Sequence, residues 1–179
     1  MGHNGAGKTT ALNLLIGHHK PSSGTILLEN LDILSDLDEI RLKLGVCHQH
    51  DLLFDDLSVE EHLILIAKLK LIPSTHLKRR VDQVLDEVSL DKSRHTITSK
   101  LSGGTKRRLS IAMGIVAESR VLIMDEPTTG LDPIVRDQIW SLIKTLKRGR
   151  CIVMTTQHLE EAEELADGLG MLETGKLVA

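Results

Sequence analysis

Apolar positions along the chain fall into two regimes. Between residues 58 and 116 they recur at three- and four-residue spacing, the period of helices that pack on one face. Ser58 and Glu61 have the spacing of a capping box, and Leu63, Ile66, Ala67 and Lys70 follow before Pro73 breaks the segment. Thr75 to Val88 reads as a second helix, with Leu77, Val81, Val84, Leu85 and Val88 on one side. The polar stretch DKSRHTITS then leads to LSGG and a third helix through Val116. Outside this block the pattern changes. VLIMD and CIVMTT are apolar runs without alternation, as strands buried on both faces of a parallel sheet require. TILLE, LGVC and LGMLE are expected as further strands. TTALNLLIG, Asp36–Leu42, Pro133–Leu146 and LEEAEELAD are expected as helices, with EEAEE in the last forming a solvated acidic face.

The chain is therefore expected to be α/β, a mainly parallel sheet with flanking helices and a helical insert. Residues 1–49 form the first part of the core, 50–117 a helical subdomain, and 118–179 the second part of the core.

Composition narrows the function. Apolar residues make up 41% and charged residues 26% of the 179, a globular profile. The net charge of −3 supplies no global basic field, so no nucleic-acid partner is expected. Phe54 and Trp140 are the only aromatics of the Phe, Tyr and Trp group, too few for a base-stacking platform. Cys47 and Cys151 each sit in an apolar run and read as reduced core thiols. Apolar runs reach about five residues, against the roughly 18 that span a bilayer. Nine histidines invite a zinc reading, but Cys47, His48 and His50 lack a second Cys pair and knuckle spacing.

The first residues carry the clearest chemistry. Gly2, His3, Asn4, Gly5, Ala6, Gly7, Lys8 and Thr9 match G-x-x-x-x-G-K-[ST], and Thr10 follows. Such glycines let backbone N–H groups converge on phosphate oxygens, and the helix behind adds its positive end. Lys8 is placed to reach the β- and γ-phosphates of ATP, and the Thr9 hydroxyl to ligate Mg²⁺. VLIMDE puts Asp125 at the C-terminal end of a buried strand, where α/β sheets place ligand chemistry. Asp125 is expected to hold Mg²⁺ through water, and Glu126 to polarise a water for attack on the γ-phosphate. In LSGGTKRRLS, Ser102 is an N-cap and Gly103 and Gly104 clear side chains from the helix mouth, a second anion site. Lys106, Arg107 and Arg108 crowd the early turns and read in part as a solvated basic face.

These motifs, in this order, resemble the nucleotide-binding cassette of ABC transporters, a P-loop NTPase fold. LSGG looks like the family's signature motif, Gln49 like its Q-loop glutamine, and TTGLDP (residues 128–133) like its D-loop. LFDDLSVEEHL, LSGGTKRRLS and TTGLDP together look most like the A subfamily, whose full members are large lipid-handling transporters. The resemblance implies two cassettes meeting head to tail with ATP between the loop of one and the LSGG of the other. Gln49 would sense the γ-phosphate and Mg²⁺ and couple to transmembrane domains, and Asp132 would communicate across the interface. It further implies a location on the cytoplasmic side of a membrane, as part of an integral transporter. Alternatives are a non-hydrolysing regulatory cassette and a soluble ABC-type ATPase.

Three departures qualify this. The family usually has a histidine in the motif TTH or STH; here TTQH puts Gln157 at that position, able to donate a hydrogen bond but not to carry charge. Gly168 and His48 replace a basic residue and a proline, with local effects expected. Finally, the family has a strand and an adenine-stacking aromatic ahead of the loop, so the chain is expected to be an N-terminally truncated piece of a longer protein.

Overall fold

The computed structural model describes all 179 residues, Met1–Ala179. Its centre is a three-stranded parallel sheet ordered β3–β4–β5, from β3 (Leu44–Cys47), β4 (Val121–Asp125) and β5 (Cys151–Thr155). β4 lies in the middle and explains the unalternated VLIMD run. Leu122 and Met124 enter one apolar core, and Ile123 enters another on the opposite face of the sheet.

The larger core continues from the sheet into the helical region. α3 (Val59–Leu69) contributes Leu63, α4 (Ser74–Glu87) contributes Val84 and Leu85, and α5 (Gly103–Ile115) contributes Ile111 and Ile115. α6 (Pro133–Leu146) adds Ile139 and Ile143. α5 lies directly on β3, close enough that a Cβ on Gly45 would stand 2.2 Å from the Gly114 carbonyl oxygen. The capping box of α3 forms: Glu61 N–H donates to Ser58 Oγ at 3.3 Å, and Ser58 N–H to Glu61 Oε2 at 2.8 Å. The smaller core takes Leu12 and Ile16 from α1 (Lys8–Leu15) and its C-terminal end, and Ile40 from α2 (Leu37–Lys43).

Three expectations change. TILLE is not one strand. Glu29 and Asn30 both adopt positive φ (50° and 66°), which turns the chain into a tight hairpin of β1 (Leu27–Leu28) and β2 (Leu31–Asp32). LGMLE likewise does not join the parallel sheet. Thr174 and Gly175 (φ 46° and 78°) turn it back, pairing β6 (Leu172–Glu173) with β7 (Lys176–Leu177). CIVMTT is not buried on both faces. β5 is the sheet's edge, Cys151 is exposed, and Ile152, Val153 and Met154 are half-buried. Beside β5 runs a groove of about 660 Å³ lined by Leu12, Leu15, Ile152, Met154 and Leu165.

Two basic side chains serve the packing. Arg80 is buried and donates to the Ile115 and Val116 carbonyls at the end of α5. Arg150 pairs with Glu87 at 2.8 Å. Both satisfy groups where helices end, where cations are favoured. No helix is long and apolar enough to cross a membrane.

Candidate functional site: a phosphate-binding loop at the ends of the parallel strands

Gly5 and Gly7 take φ values of 81° and 97°, open to glycine and strained for other residues, and α1 starts directly at Lys8. The loop is backed by the C-terminal hairpin. Gly175 N–H donates to the Ala6 carbonyl at 2.9 Å and Leu172 N–H to the Met1 carbonyl at 2.8 Å. A Cβ on Gly2 would stand 2.4 Å from the Leu172 carbonyl oxygen. The β6–β7 hairpin is thus a support of the site that apolar periodicity did not reveal; the E-T-G-K turn was its available signal.

Lys8 is 6% exposed. Its Nζ donates to the Gly2 and His3 carbonyls at 2.8 and 3.0 Å and lies 3.2 Å from Glu126 Oε1. Thr9, one residue on, donates from Oγ1 to Asp125 Oδ2 at 2.8 Å. The other Asp125 oxygen accepts from Thr155 Oγ1 at the end of β5. The ends of β4 and β5 therefore converge on the start of α1, as the position of Asp125 in the sequence led us to expect. Thr155 was missed, and its signal was its place at the end of the CIVMTT run.

Glu126 takes φ 44°, a left-handed conformation that costs of order 1–3 kcal/mol for a non-glycine residue. Its N–H is held by the Thr155 carbonyl (3.2 Å) and hydroxyl (3.1 Å). Its carboxylate is shared between Lys8 at Oε1 and Thr129 Oγ1, which donates to Oε2 at 3.0 Å. A buried cation with only carbonyls and one carboxylate to bind, beside a hydroxyl and two carboxylates, suits a polyphosphate and a hard divalent cation. Thr9 and Asp125 supply the oxygen donors Mg²⁺ prefers.

Of the remaining candidates, Gln49 is exposed just beyond β3, and Gln157 is half-buried just beyond β5. Ser102 caps α5, accepting from Thr105 N–H at 3.3 Å. Its two glycines differ in kind. A Cβ on Gly103 would meet nothing within 4 Å, whereas one on Gly104 would stand 2.7 Å from Val135 Cγ1. Asp132 caps α6, its Oδ1 accepting from Val135 N–H at 3.1 Å. No hydrogen bond joins Ser102, Gly103, Gly104 or Asp132 to residues 2–9; they gather instead where α5 and α6 begin.

Two charged residues depart from the sequence reading. Glu161, in α7 (Leu159–Leu165), is 1% exposed rather than solvated. Its Oε1 accepts from Thr128 Oγ1 (2.6 Å) and Trp140 Nε1 (3.0 Å), which pins the segment between Glu126 and α6. Arg107 is 4% exposed rather than part of a basic face. Cys47 is buried, its thiol pushed up to about 11 chiefly by desolvation, so it stays protonated and inert.

Comparison with known proteins identifies the family. The profile of the ABC transporter family matches residues 1–129. Human ATP-binding cassette sub-family A member 2 is 45% identical over 177 residues, covering 99% of this chain and 7% of that protein. ABC transporter A family member 8 of Arabidopsis thaliana is 45% identical over 183 residues, covering 99% of this chain and 20% of that protein. The human retinal-specific phospholipid-transporting ATPase ABCA4 is 41% identical, covering 99% of this chain and 8% of that protein. The chain thus spans a small part of each of these relatives. Among solved structures, cbiO1 of Clostridium perfringens, part of the cbiONQ ABC transporter complex, superposes with a TM-score of 0.90 at 31% identity, covering 100% of this chain and 74% of that one. An ATP-binding subunit of an ABC transporter gives 0.85 at 27%, covering 100% and 75%. The chain belongs to the ABC transporter family, as an ATP-binding cassette of the A-subfamily type.

Proposed function

We propose that the chain binds Mg²⁺–ATP and hydrolyses it to ADP and phosphate, and that this powers transport of a lipid by a larger membrane protein. The observation that carries the proposal is the 2.8 Å bond between Thr9 and Asp125 beside the buried Lys8. It joins a cationic phosphate cradle to a hydroxyl that can ligate a divalent cation and a carboxylate that can hold it through water. Mg²⁺ bound between Thr9 and Asp125 would neutralise charge developing on the phosphates.

The chain's own groups then have distinct tasks. Lys8 exchanges the Gly2 and His3 carbonyls for phosphate oxygens. That exchange loosens its grip on Glu126, whose carboxylate is then able to orient and polarise a water. Thr129 keeps Glu126 aimed through Oε2. Gln157, beyond the end of β5, donates to the γ-phosphate, and Gln49 contacts the metal site from the end of β3.

Transport rests on a second cassette and on transmembrane partners. Ser102 and Gly103 are exposed at the mouth of α5, open to a nucleotide held by another cassette in head-to-tail contact, with Asp132 exposed at the same junction. Leu52 and Phe54, 64% and 59% exposed just after Gln49, offer an apolar surface where transmembrane domains dock and Gln49 senses them. The lipid assignment draws on the relative whose name includes phospholipid transport.

A non-hydrolysing cassette is the second reading, favoured by Gln157, which cannot carry the charge of a histidine. The two separate on phosphate release by the full-length protein in lipid vesicles, with Glu126→Gln as reference. Release well above that variant, dependent on Mg²⁺, supports hydrolysis. Release equal to it leaves only binding.

A further inference from the structure

Arg107 stands one turn inside α5, and every polar partner of its guanidinium lies outside that helix. Nε donates to the Pro127 carbonyl at 2.5 Å. Nη1 donates to the His48 carbonyl at 2.6 Å, the Gln49 carbonyl at 3.4 Å and Asp51 Oδ1 at 3.1 Å. Nη2 donates to the Asp125 and Glu126 carbonyls at 3.4 and 3.3 Å. Ser110, three residues along α5, donates to the same Asp51 oxygen at 2.6 Å. A single buried cation thus ties the segment that carries Gln49 to the one that carries Asp125 and Glu126. Neither segment is held there by the sheet ladder alone: β3 ends at Cys47 and β4 at Asp125.

We propose that Arg107 is a positioning residue for ATP hydrolysis, fixing the backbones of Gln49 and Glu126 relative to each other from the signature helix. The proposal rests on the reading of Glu126 and Gln49 as hydrolytic groups. The guanidinium suits the task because its planar fork serves two loops at once, which the point charge of a lysine cannot do. Glu126 needs such a tie, since its positive φ persists only where its surroundings over-determine it. Because the fork is rooted in α5, a tilt of that helix moves the Glu126 and Gln49 carbonyls with it. Nucleotide contact at Ser102 and Gly103 is then felt in the chain's own site.

The test compares Arg107→Lys and Arg107→Met with the unchanged full-length protein. It measures Mg²⁺–ATP affinity, phosphate release at saturating ATP, and amide hydrogen exchange. Both variants are expected to lose at least about tenfold in release at saturating ATP, as misplaced catalytic groups do, with affinity for ATP kept within about threefold. Exchange is expected to quicken at residues 48–51 and 125–129 and to stay slow along 109–116. The proposal is overturned if release is unchanged in Arg107→Met. It is equally overturned if affinity and release fall together while exchange rises along α5, which marks a purely structural residue. If the unchanged protein releases no more phosphate than Glu126→Gln, the hydrolysis reading fails. The exchange pattern then still decides whether Arg107 holds the two loops.

Discussion

Thr9 Oγ1 donates to Asp125 Oδ2 at 2.8 Å, joining residues 116 positions apart in sequence. The bond sets a hydroxyl against a carboxylate whose other oxygen is already taken by Thr155, so the pair presents its free lone pairs to one small volume. Asp125→Asn preserves the shape but removes the charge. We expect affinity for ATP in the presence of Mg²⁺ to fall roughly 10–100-fold, the usual effect of losing an outer-shell carboxylate. Affinity measured in EDTA should barely change. A titration with a fluorescent nucleotide, with and without the metal, reads both numbers. Equal losses in the two conditions would show that Asp125 acts on the fold and not on a metal.

Glu161 gives a second prediction. Its Oε1 is the shared acceptor for Thr128 and Trp140 inside the protein. Glu161→Gln keeps a carbonyl oxygen in place and should cost less than about 1 kcal/mol. Glu161→Ala strands the buried Thr128 hydroxyl, at about 1–3 kcal/mol when left unpaired, and the half-buried Trp140 N–H, which costs less because water can reach it. A loss of about 2–4 kcal/mol corresponds to a fall in Tm of roughly 4–16 °C for a domain of this size. Thermal unfolding of the two variants side by side checks the ordering. A Gln variant as unstable as the Ala variant would mean that charge, not the acceptor oxygen, is what the site needs.

These residues show where sequence reasoning reached and where it stopped. The loop around Lys8, the strand ending at Asp125 and the helices from Ser58 to Val116 were legible because each rests on a local rule: a fixed motif spacing, an unalternated apolar run, a 3.6-residue period. The role of Arg107 was not, since a basic residue near a helix N-terminus looks the same from sequence whether it faces water or six acceptors on two other segments. Glu161 was hidden for the same reason, one acid among four in EEAEE whose partners lie 21 and 33 positions away. The hairpins at Glu29–Asn30 and Thr174–Gly175 carried a turn signal in their Asn and Gly, outweighed by the apolar residues beside them. The exposure of β5 is a matter of sheet order, which no residue within the strand specifies.

The two signature glycines should separate stability from nucleotide contact. A methyl at position 104 would press on Val135 Cγ1 at 2.7 Å, where α6 begins. Gly104→Ala should therefore destabilise by about 1–3 kcal/mol, the cost of overpacking a tight contact. A methyl at position 103 meets nothing, and Gly103→Ala should leave stability within about 0.5 kcal/mol. If another cassette's nucleotide sits on the mouth of α5, Gly103→Ala should nonetheless weaken ATP-driven pairing of cassettes, read by light scattering or crosslinking. Undiminished pairing in that variant would remove Ser102 and Gly103 from the interface.

His48 sets the pH dependence. Its pKa is lowered first by burial and then by His18, whose ring stacks on it at 6.3 Å; Asp125 opposes them, and Arg107 adds the smallest lowering. The folded state therefore resists protonation more than the unfolded chain, where histidine titrates near about 6.5. With more protons bound unfolded than folded, stability rises with pH across this window. The contribution is fully present above about pH 6.5 and is lost as pH falls from there through the lowered folded value. His48→Gln removes this dependence but keeps the backbone carbonyl that Arg107 uses. Urea midpoints at pH 7.5 and pH 5.5 should thus differ less in His48→Gln than in the unchanged protein. His18→Gln should narrow the gap in part, because it relieves the second-largest cause and not the first. A His48 ring that titrates above its ordinary value by NMR would reverse the sign and defeat the argument.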